Sequence, residues 1–141
     1  MNEIMLYMLA ILTGIFTTLE ATINSQLGRY VTPKIATLHS LFVGFLIMLI
    51  LNIMNGTINQ YSKIYDVAFQ WSIGGVFGAL AIFLLTLLIP KLGVTITFTI
   101  VITFQILSSF YIDTFIMKQQ FKLVQIAGAF LIITGLYFMM E

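Results

Sequence analysis

The stretch from Phe69 to Ile89 reads FQWSIGGVFGALAIFLLTLLI and contains no charged residue. A helix of about 20 apolar residues crosses the hydrocarbon core of a bilayer, so this stretch predicts a transmembrane helix. Four more apolar stretches of similar length lie at Ile4–Gln26, Ile35–Met54, Val94–Ile112 and Phe121–Met140. We therefore predict an all-α integral membrane protein with five transmembrane helices, forming a single transmembrane domain over residues 1–141.

The composition supports a membrane protein. Hydrophobic residues make up 60% of the chain and charged residues 8%, whereas about a quarter of the residues in a soluble domain are charged. The net charge of +1 and the lack of a basic tract argue against nucleic acid as a partner. The N-terminus Met1-Asn2-Glu3 lacks a positively charged n-region, and the apolar stretch after it is longer than the apolar h-region of a signal peptide. We expect the first stretch to be a retained helix.

The fourth apolar stretch has a pattern that would favour a β-strand in water. Its start, Val94-Thr95-Ile96-Thr97-Phe98-Thr99-Ile100, alternates in polarity and is rich in β-branched residues. A lone strand in lipid leaves its backbone groups unpaired, at a cost of several kcal/mol each. We therefore predict a helix here as well.

Two prolines stand near predicted helix starts. Pro33 precedes the second apolar stretch and Pro90 precedes the fourth. Proline suits the first turn of a helix, where its missing N–H would have no partner in any case. We predict that each proline opens the helix that follows it.

The positive charges show no bias between the two sides of the membrane. With five helices, one side has Lys63, Lys118 and Lys122, and the other has Arg29, Lys34 and Lys91. Because an excess of Lys and Arg normally sets orientation, a balanced chain is expected to insert both ways. Oppositely inserted copies would form an antiparallel homodimer of ten helices, an inverted arrangement common in secondary transporters. A chance balance is the alternative interpretation.

The first helix has a polar side. Thr13, Thr17, Glu20 and Asn24 are spaced by four, three and four residues, which places them on one face. Carboxylates inside a membrane are costly and usually face a cavity or a partner. Glu20 is thus a candidate for binding a cationic substrate or a proton. The alternative is an interfacial carboxylate paired with Arg29.

The fourth helix adds a second polar set. Gln105, Ser108 and Ser109 share one face. Thr95, Thr99 and Thr103 lie on another face, where we expect their hydroxyls to bond their own helix backbone. The amide of Gln105 needs a partner from outside its helix, so Gln105 and Ser109 join the candidate site.

Small residues predict close helix contacts. Gly74 and Gly78 form a GxxxG pair, Ser40 and Gly44 are spaced alike, and Gly128 and Gly135 repeat at heptad spacing. We predict the last pair as the dimer seam. Trp71, the single tryptophan, is expected to anchor the third helix at the interface; stacking on a substrate is the second interpretation.

Enzyme signatures are absent from the sequence. The chain contains no HExxH, no GxSxG, no P-loop and no cysteine. His39 has no evident catalytic partner, and Asp113 suits an interfacial charge at a helix end. We predict that the protein is not an enzyme and uses no metal or cofactor.

The segment from Glu20 to Gly28, EATINSQLG, resembles the first-helix motif of the YdcZ-like family in the drug/metabolite transporter superfamily. The resemblance continues in order through most of the chain, by way of Ser40, Gly44, Trp71, Gly74-Gly75-Val76-Phe77-Gly78, Pro90-Lys91-Leu92-Gly93, Gln105, Ser109 and Asp113. It implies a five-helix bacterial inner-membrane protein that pairs into a ten-helix exporter. Glu20 stands where the family often has a neutral amide, and Phe104 where a glycine is common. The resemblance therefore favours Asn24 and Gln105 as site residues.

Together these features predict a transporter of a small organic molecule, neutral or cationic, that works as an antiparallel homodimer. Its partners would be the substrate, the bilayer and a second copy of itself. The predicted site residues are Glu20, Asn24, Gln105, Thr17, Ser109 and Trp71. The alternatives are a non-transporting scaffold or accessory subunit, and a channel.

Overall fold

The computed structural model describes residues 2–118 and 123–140. Within these ranges the chain is helical and has no strand. Four helical segments are long and apolar enough to cross a membrane: Glu3–Tyr30, Pro33–Met54, Phe69–Leu92 and Val94–Ile116. The all-α prediction is therefore confirmed for the described residues, and four helical segments have the length and composition expected of four of the five predicted spans.

The first two helices form a hairpin. Helix α1 covers Glu3–Tyr30 and extends four residues beyond its predicted end at Gln26. Helix α2 covers Pro33–Met54, so Pro33 occupies the first turn as predicted. The Thr32 hydroxyl caps α2 by accepting a hydrogen bond from the Ile35 N–H at 3.2 Å.

The third predicted helix is interrupted near its start. A short helix α3 covers Phe69–Ser72, and helix α4 covers Gly74–Leu92. Between α2 and α3 the chain forms a 3₁₀ helix at Ile58–Asp66.

The prediction that Pro90 opens the fourth helix is wrong, because Pro90 lies inside the last turns of α4. The break comes at Gly93, whose φ of +83° and ψ of 161° are accessible to almost no other residue. Helix α5 then covers Val94–Tyr111 and continues into a π-helical turn, Ile112–Ile116.

Helix α5 confirms that the alternating stretch is a helix. The hydroxyls of Thr97, Thr99 and Thr103 each donate to the carbonyl oxygen four residues earlier, at 2.7, 2.9 and 2.8 Å. Thr99 and Thr103 thereby satisfy their own polar groups inside the helix, as expected. Thr97, which was not part of that prediction, does the same. Their β-branched side chains do not prevent helix formation when no strand partner is present.

Helix α6 covers Leu123–Met140. The first two residues of the predicted fifth span lie outside the described residues. Contacts divide the chain into two compact units, Met1–Lys91 and Leu92–Glu141. Helix α6 packs on α5 in the second unit, where the Thr99 hydroxyl lies 3.6 Å from the Met139 sulfur.

Candidate functional site

Glu20 is tied to the second helix by a hydrogen bond. The Ser40 hydroxyl of α2 donates to Glu20 Oε1 at 3.0 Å, while the Glu20 side chain stays exposed in the single chain. Arg29, the partner considered from the sequence, lies nine residues further along α1, or about 13 Å at the helical rise. The observed partner of the Glu20 carboxylate is therefore Ser40 of α2.

The observed C-terminal end of α1 gives the depth of Glu20 in the membrane. Arg29 lies in the last turn of the helix and Tyr30 is its final residue. Such residues sit at membrane interfaces. Glu20 is ten residues before Tyr30, or about 15 Å at the helical rise, and half of the ~30 Å hydrocarbon core is a similar distance. This geometry puts the carboxylate near the membrane midplane.

Polar side chains are buried one turn beyond Glu20. Asn24 is 4% exposed and its neighbour Ser25 is fully buried. The Asn24 Nδ2 and Ser25 Oγ atoms have no hydrogen-bond partner within the described part of the chain. Buried polar groups without partners are rare and costly. These two atoms are therefore available to a water, a substrate or a rearranged helix contact.

Further buried residues lie on helices α2 and α4, one of them close to Gly28 of α1. Thr86 of α4 is fully buried, and a Cβ added at Gly28 would lie 3.2 Å from its Cγ2 atom. Ala36 and Thr37 of α2 are also buried. Small side chains of α1 and α2 thus allow these two helices to pack, which is the usual basis of helix association in membranes, and the Thr86 side chain lies against Gly28.

The predicted residue Thr17 lies on the same helix as Glu20. Its hydroxyl donates to the Thr13 carbonyl oxygen at 2.8 Å, so its proton is used within the helix. The Thr17 oxygen still has a lone pair for a further donor. Thr17 remains a predicted lining residue that accepts hydrogen bonds.

Gln105 and Ser109 line an open groove in the second unit. The groove has a volume of about 690 Å³, and Ser108 and Phe104 also line it. Ser109 donates to the Gln105 backbone carbonyl at 2.8 Å. The Gln105 side chain is exposed, so its amide faces outward from this unit.

The remaining predicted residues lie on open surfaces. Trp71 belongs to the short helix α3 and is 71% exposed. A Cβ added at Gly74, Gly78, Gly128 or Gly135 would meet no atom within 4 Å. These glycines therefore make no close contact within the described chain, and their role in a dimer stays a prediction. No group of three His, Asp or Glu residues in residues 2–118 and 123–140 could hold a metal.

Three residues of this region were not predicted from the sequence as site residues: Ser25, Ser40 and Thr86. Ser40 was assigned to helix packing, and its link to Glu20 depends on the register of α1 against α2. Ser25 had a usable signal, because Ala21, Ser25 and Gly28 place small residues on one helix face. Thr86 is a single hydroxyl in an apolar stretch and gave no such signal.

Comparison with known families covers nearly the whole chain. Residues 5–138 match the family described as "Putative inner membrane exporter, YdcZ". The chain belongs to this family. It is therefore an inner-membrane protein of an exporter family rather than of an enzyme family, in agreement with its four apolar spans. Searches of curated proteins and of solved structures found no match.

Proposed function

We propose that this YdcZ-family chain exports a small neutral or cationic organic molecule, that export is coupled to proton movement, and that the working unit is an antiparallel homodimer. Family membership supports export across the inner membrane. The single observation that carries the finer proposal is the exposed Glu20 carboxylate, held by Ser40 in the middle of a membrane-spanning helix pair.

An exposed carboxylate at this depth requires a covering surface. A charge facing lipid costs several kcal/mol, so Glu20 needs either a partner or a water-filled cavity. The open groove at Gln105 presents a second polar surface in an otherwise apolar chain. Pairing with a second copy would remove both surfaces from lipid and enclose a polar pathway between the chains.

The depth of Glu20 is compatible with an antiparallel pair, which the balanced positive charges favour. Two oppositely inserted copies are related by an axis in the membrane plane, so a residue near the midplane in one copy is near the midplane in the other. Both Glu20 side chains then reach one central site. Binding sites at the midplane of inverted repeats are the general pattern of secondary transporters.

Each predicted residue has a role in this site. Glu20 binds the cationic group of a substrate. When no substrate is bound, Glu20 binds a proton. Asn24 and Gln105 supply amides that hydrogen-bond the substrate, and Thr17 and Ser109 accept from it. Trp71 offers an aromatic face for stacking nearer the interface.

The fifth crossing is part of the proposal. Helix α6 has 18 residues and is about 27 Å long, close to the ~30 Å of the hydrocarbon core. The third and fourth spans already return the chain to the side of Lys63, where Lys118 precedes α6; a fifth span would place the C-terminal end of α6 on the opposite side. The whole chain would then be one transmembrane domain.

The test compares two carboxylates in the same helix. Proteoliposomes with an imposed pH gradient would be loaded with tetraphenylphosphonium, a lipophilic cation, and its proton-driven movement measured. Glu20→Gln is expected to abolish coupled movement, because the amide has no charge and no proton that it can release and take up again near neutral pH. Glu3→Gln, in the first turn of α1, is expected to leave it unchanged.

Two outcomes would contradict the proposal. Uncoupled flux that does not saturate would indicate a channel. Full function after substitution of Glu20, Asn24 and Gln105, combined with loss of function on Gly74→Leu or Gly135→Leu, would indicate a scaffold or accessory subunit. In that case helix packing, not the polar site, would be what the chain provides.

A further inference from the structure

The connection after α2 has an amphipathic 3₁₀ helix. A 3₁₀ helix has three residues per turn, so residues three apart share one side. Along Ile58–Asp66 and its C-terminal cap, one side has Ile58, Tyr61, Ile64 and Val67. The other sides have mainly Asn59, Gln60, Ser62, Lys63 and Asp66. Short helices of this pattern lie in the plane of the membrane interface.

Hydrogen bonds fix this helix to the end of α2. The Thr57 hydroxyl donates to Asn52 Oδ1 at 2.7 Å, and the Thr57 N–H donates to the Asn52 carbonyl at 2.9 Å. Asn52 Nδ2 in turn donates to the Met48 carbonyl at 2.8 Å. Gly56 allows the reversal with a φ of +66°. The connection is therefore folded back over the last turns of α2.

A pocket of about 270 Å³ lies between the two elements. Its α2 wall consists of Phe45, Met48, Leu49 and Asn52, which recur at the spacing of one helix face. The opposite wall consists of Thr57, Ile58, Gln60 and Tyr61. The volume is near the lower end for small-molecule pockets, about 300 Å³.

The pocket runs along the direction of the bilayer normal. Helix α2 has 22 residues and is about 33 Å long. Asn52, two residues before its end at Met54, therefore lies near the edge of the ~30 Å core. Phe45 is seven residues deeper, or about 10 Å into the hydrocarbon. The apolar residues of α2 thus line the deep end, and Gln60 and Tyr61 line the end near water.

None of the described lining residues is charged. An anionic or cationic head group would find no partner here, whereas a hydroxyl or ester could bond to amide and phenol groups. We infer that this pocket binds a single-chain amphiphile with an uncharged polar head, its chain against Phe45 and Leu49 and its head at Gln60 and Tyr61. The inference does not depend on export, on protons or on a dimer.

Photolabelling in a bilayer tests the site. The full chain would be placed in phosphatidylcholine nanodiscs with monodecanoylglycerol that has a diazirine at the end of its acyl chain. Adducts mapped by mass spectrometry are expected at Phe45, Met48 and Leu49. Excess unlabelled monodecanoylglycerol should remove them, while decanoate and decyltrimethylammonium should compete much less.

Paired variants of α2 provide the control. Leu49→Phe fills the pocket and is expected to weaken labelling about tenfold, equivalent to about 1.4 kcal/mol. Ile47→Phe adds the same ring on the exposed surface of α2 and should leave labelling unchanged. Met48→Phe is a second filling variant, and circular dichroism verifies that each variant is folded.

Three results would overturn the inference. The first is an even spread of adducts over exposed positions such as Phe42 and Ile47. The second is equal labelling by a phosphatidylcholine with the same diazirine, which would make the pocket part of the general lipid shell. The third is equal competition by the charged amphiphiles.

Discussion

The hydrogen bond from Ser40 to Glu20 joins the functional proposal to the packing of α1 on α2. Because the Ser40 hydroxyl already restricts the Glu20 carboxylate, binding of a cation costs less side-chain conformational entropy. Ser40 is therefore a positioning residue that acts through Glu20. Its effect should appear in substrate affinity more than in the rate of transport.

We predict that Ser40→Ala raises the KM for tetraphenylphosphonium about tenfold, because a hydrogen bond to a charged group is worth about 1.5–3 kcal/mol. Maximal transport should change little. Ser40→Thr keeps the hydroxyl and should restore most of the affinity, and Ser62→Ala, in the connection after α2, is the neutral control. Loss of maximal rate at unchanged KM would instead indicate a purely structural role for Ser40.

Gly28 is the glycine at which the described structure shows the closest approach. We predict that Gly28→Ala lowers the free energy of unfolding by about 1–3 kcal/mol, the usual cost of overpacking. The reason is that the added Cβ would lie 3.2 Å from the fully buried Thr86 side chain. Thermal denaturation followed by circular dichroism measures the effect.

Two further variants isolate this contact. Gly44→Ala adds the same methyl group where no atom lies within 4 Å, so it should be neutral or slightly stabilising. Thr86→Ser removes the Cγ2 atom and should rescue Gly28→Ala in the double variant. Equal destabilisation by Gly28→Ala and Gly44→Ala would contradict the predicted clash.

At the scale of elements, Gly93 determines where α4 stops and α5 starts. Its φ and ψ lie in a region that is essentially restricted to glycine, at a cost of about 1–3 kcal/mol for other residues. We predict that Gly93→Ala lowers the free energy of unfolding by that amount. Gly75→Ala, at an open position of α4, should change it by less than about 1 kcal/mol; an equal loss in both variants would contradict the prediction.

The apolar stretches predicted the elements well because lipid demands internally bonded helices. Interruptions were harder to predict. Pro90 looked like a helix start, yet a proline near the end of a helix removes only one backbone bond and α4 tolerates it. The break between α3 and α4 at Ile73 has no proline. Its sequence signal is the Gly74-Gly75 pair that follows, which was interpreted as helix packing.

The site was predictable only in part, for a physical reason. Periodicity places Glu20 and Asn24 on one face of α1, but it does not give the rotation of α1 against α2 or α4. That rotation leaves Glu20 exposed and buries Asn24 and Ser25. The hydrogen bond between Ser40 and Glu20 also depends on the rotation of α1 against α2. No spacing rule within a single helix could therefore predict it.

At the scale of the whole molecule, the distribution of positive charge determines how the chain is oriented in the membrane. Lys63 follows α2, whereas Arg29, Lys34 and Lys91 lie at the ends of helices on the opposite side if each span crosses once. With Lys118 and Lys122, the two sides have equal numbers of positive charges. The proposed antiparallel dimer requires that roughly half of the copies insert each way.

We predict that Ser62→Cys, in an otherwise cysteine-free chain, is labelled to about half by an impermeant thiol reagent in intact cells. Permeabilised cells should give complete labelling, because both orientations are then accessible. A fraction near zero or near one before permeabilisation would exclude dual topology and favour a heteromeric complex with another chain.

The unequal lengths of α1 and α2 also have a consequence for the surrounding lipid. Helix α1 has 28 residues and α2 has 22, joined by only two residues. Because the connection aligns them at one end, α1 extends about 9 Å further at the other. Its protruding turns are apolar from Ile4 to Leu9. A thin bilayer would leave these turns in water, so hydrophobic mismatch should make the protein prefer thicker membranes or tilt the hairpin as one body.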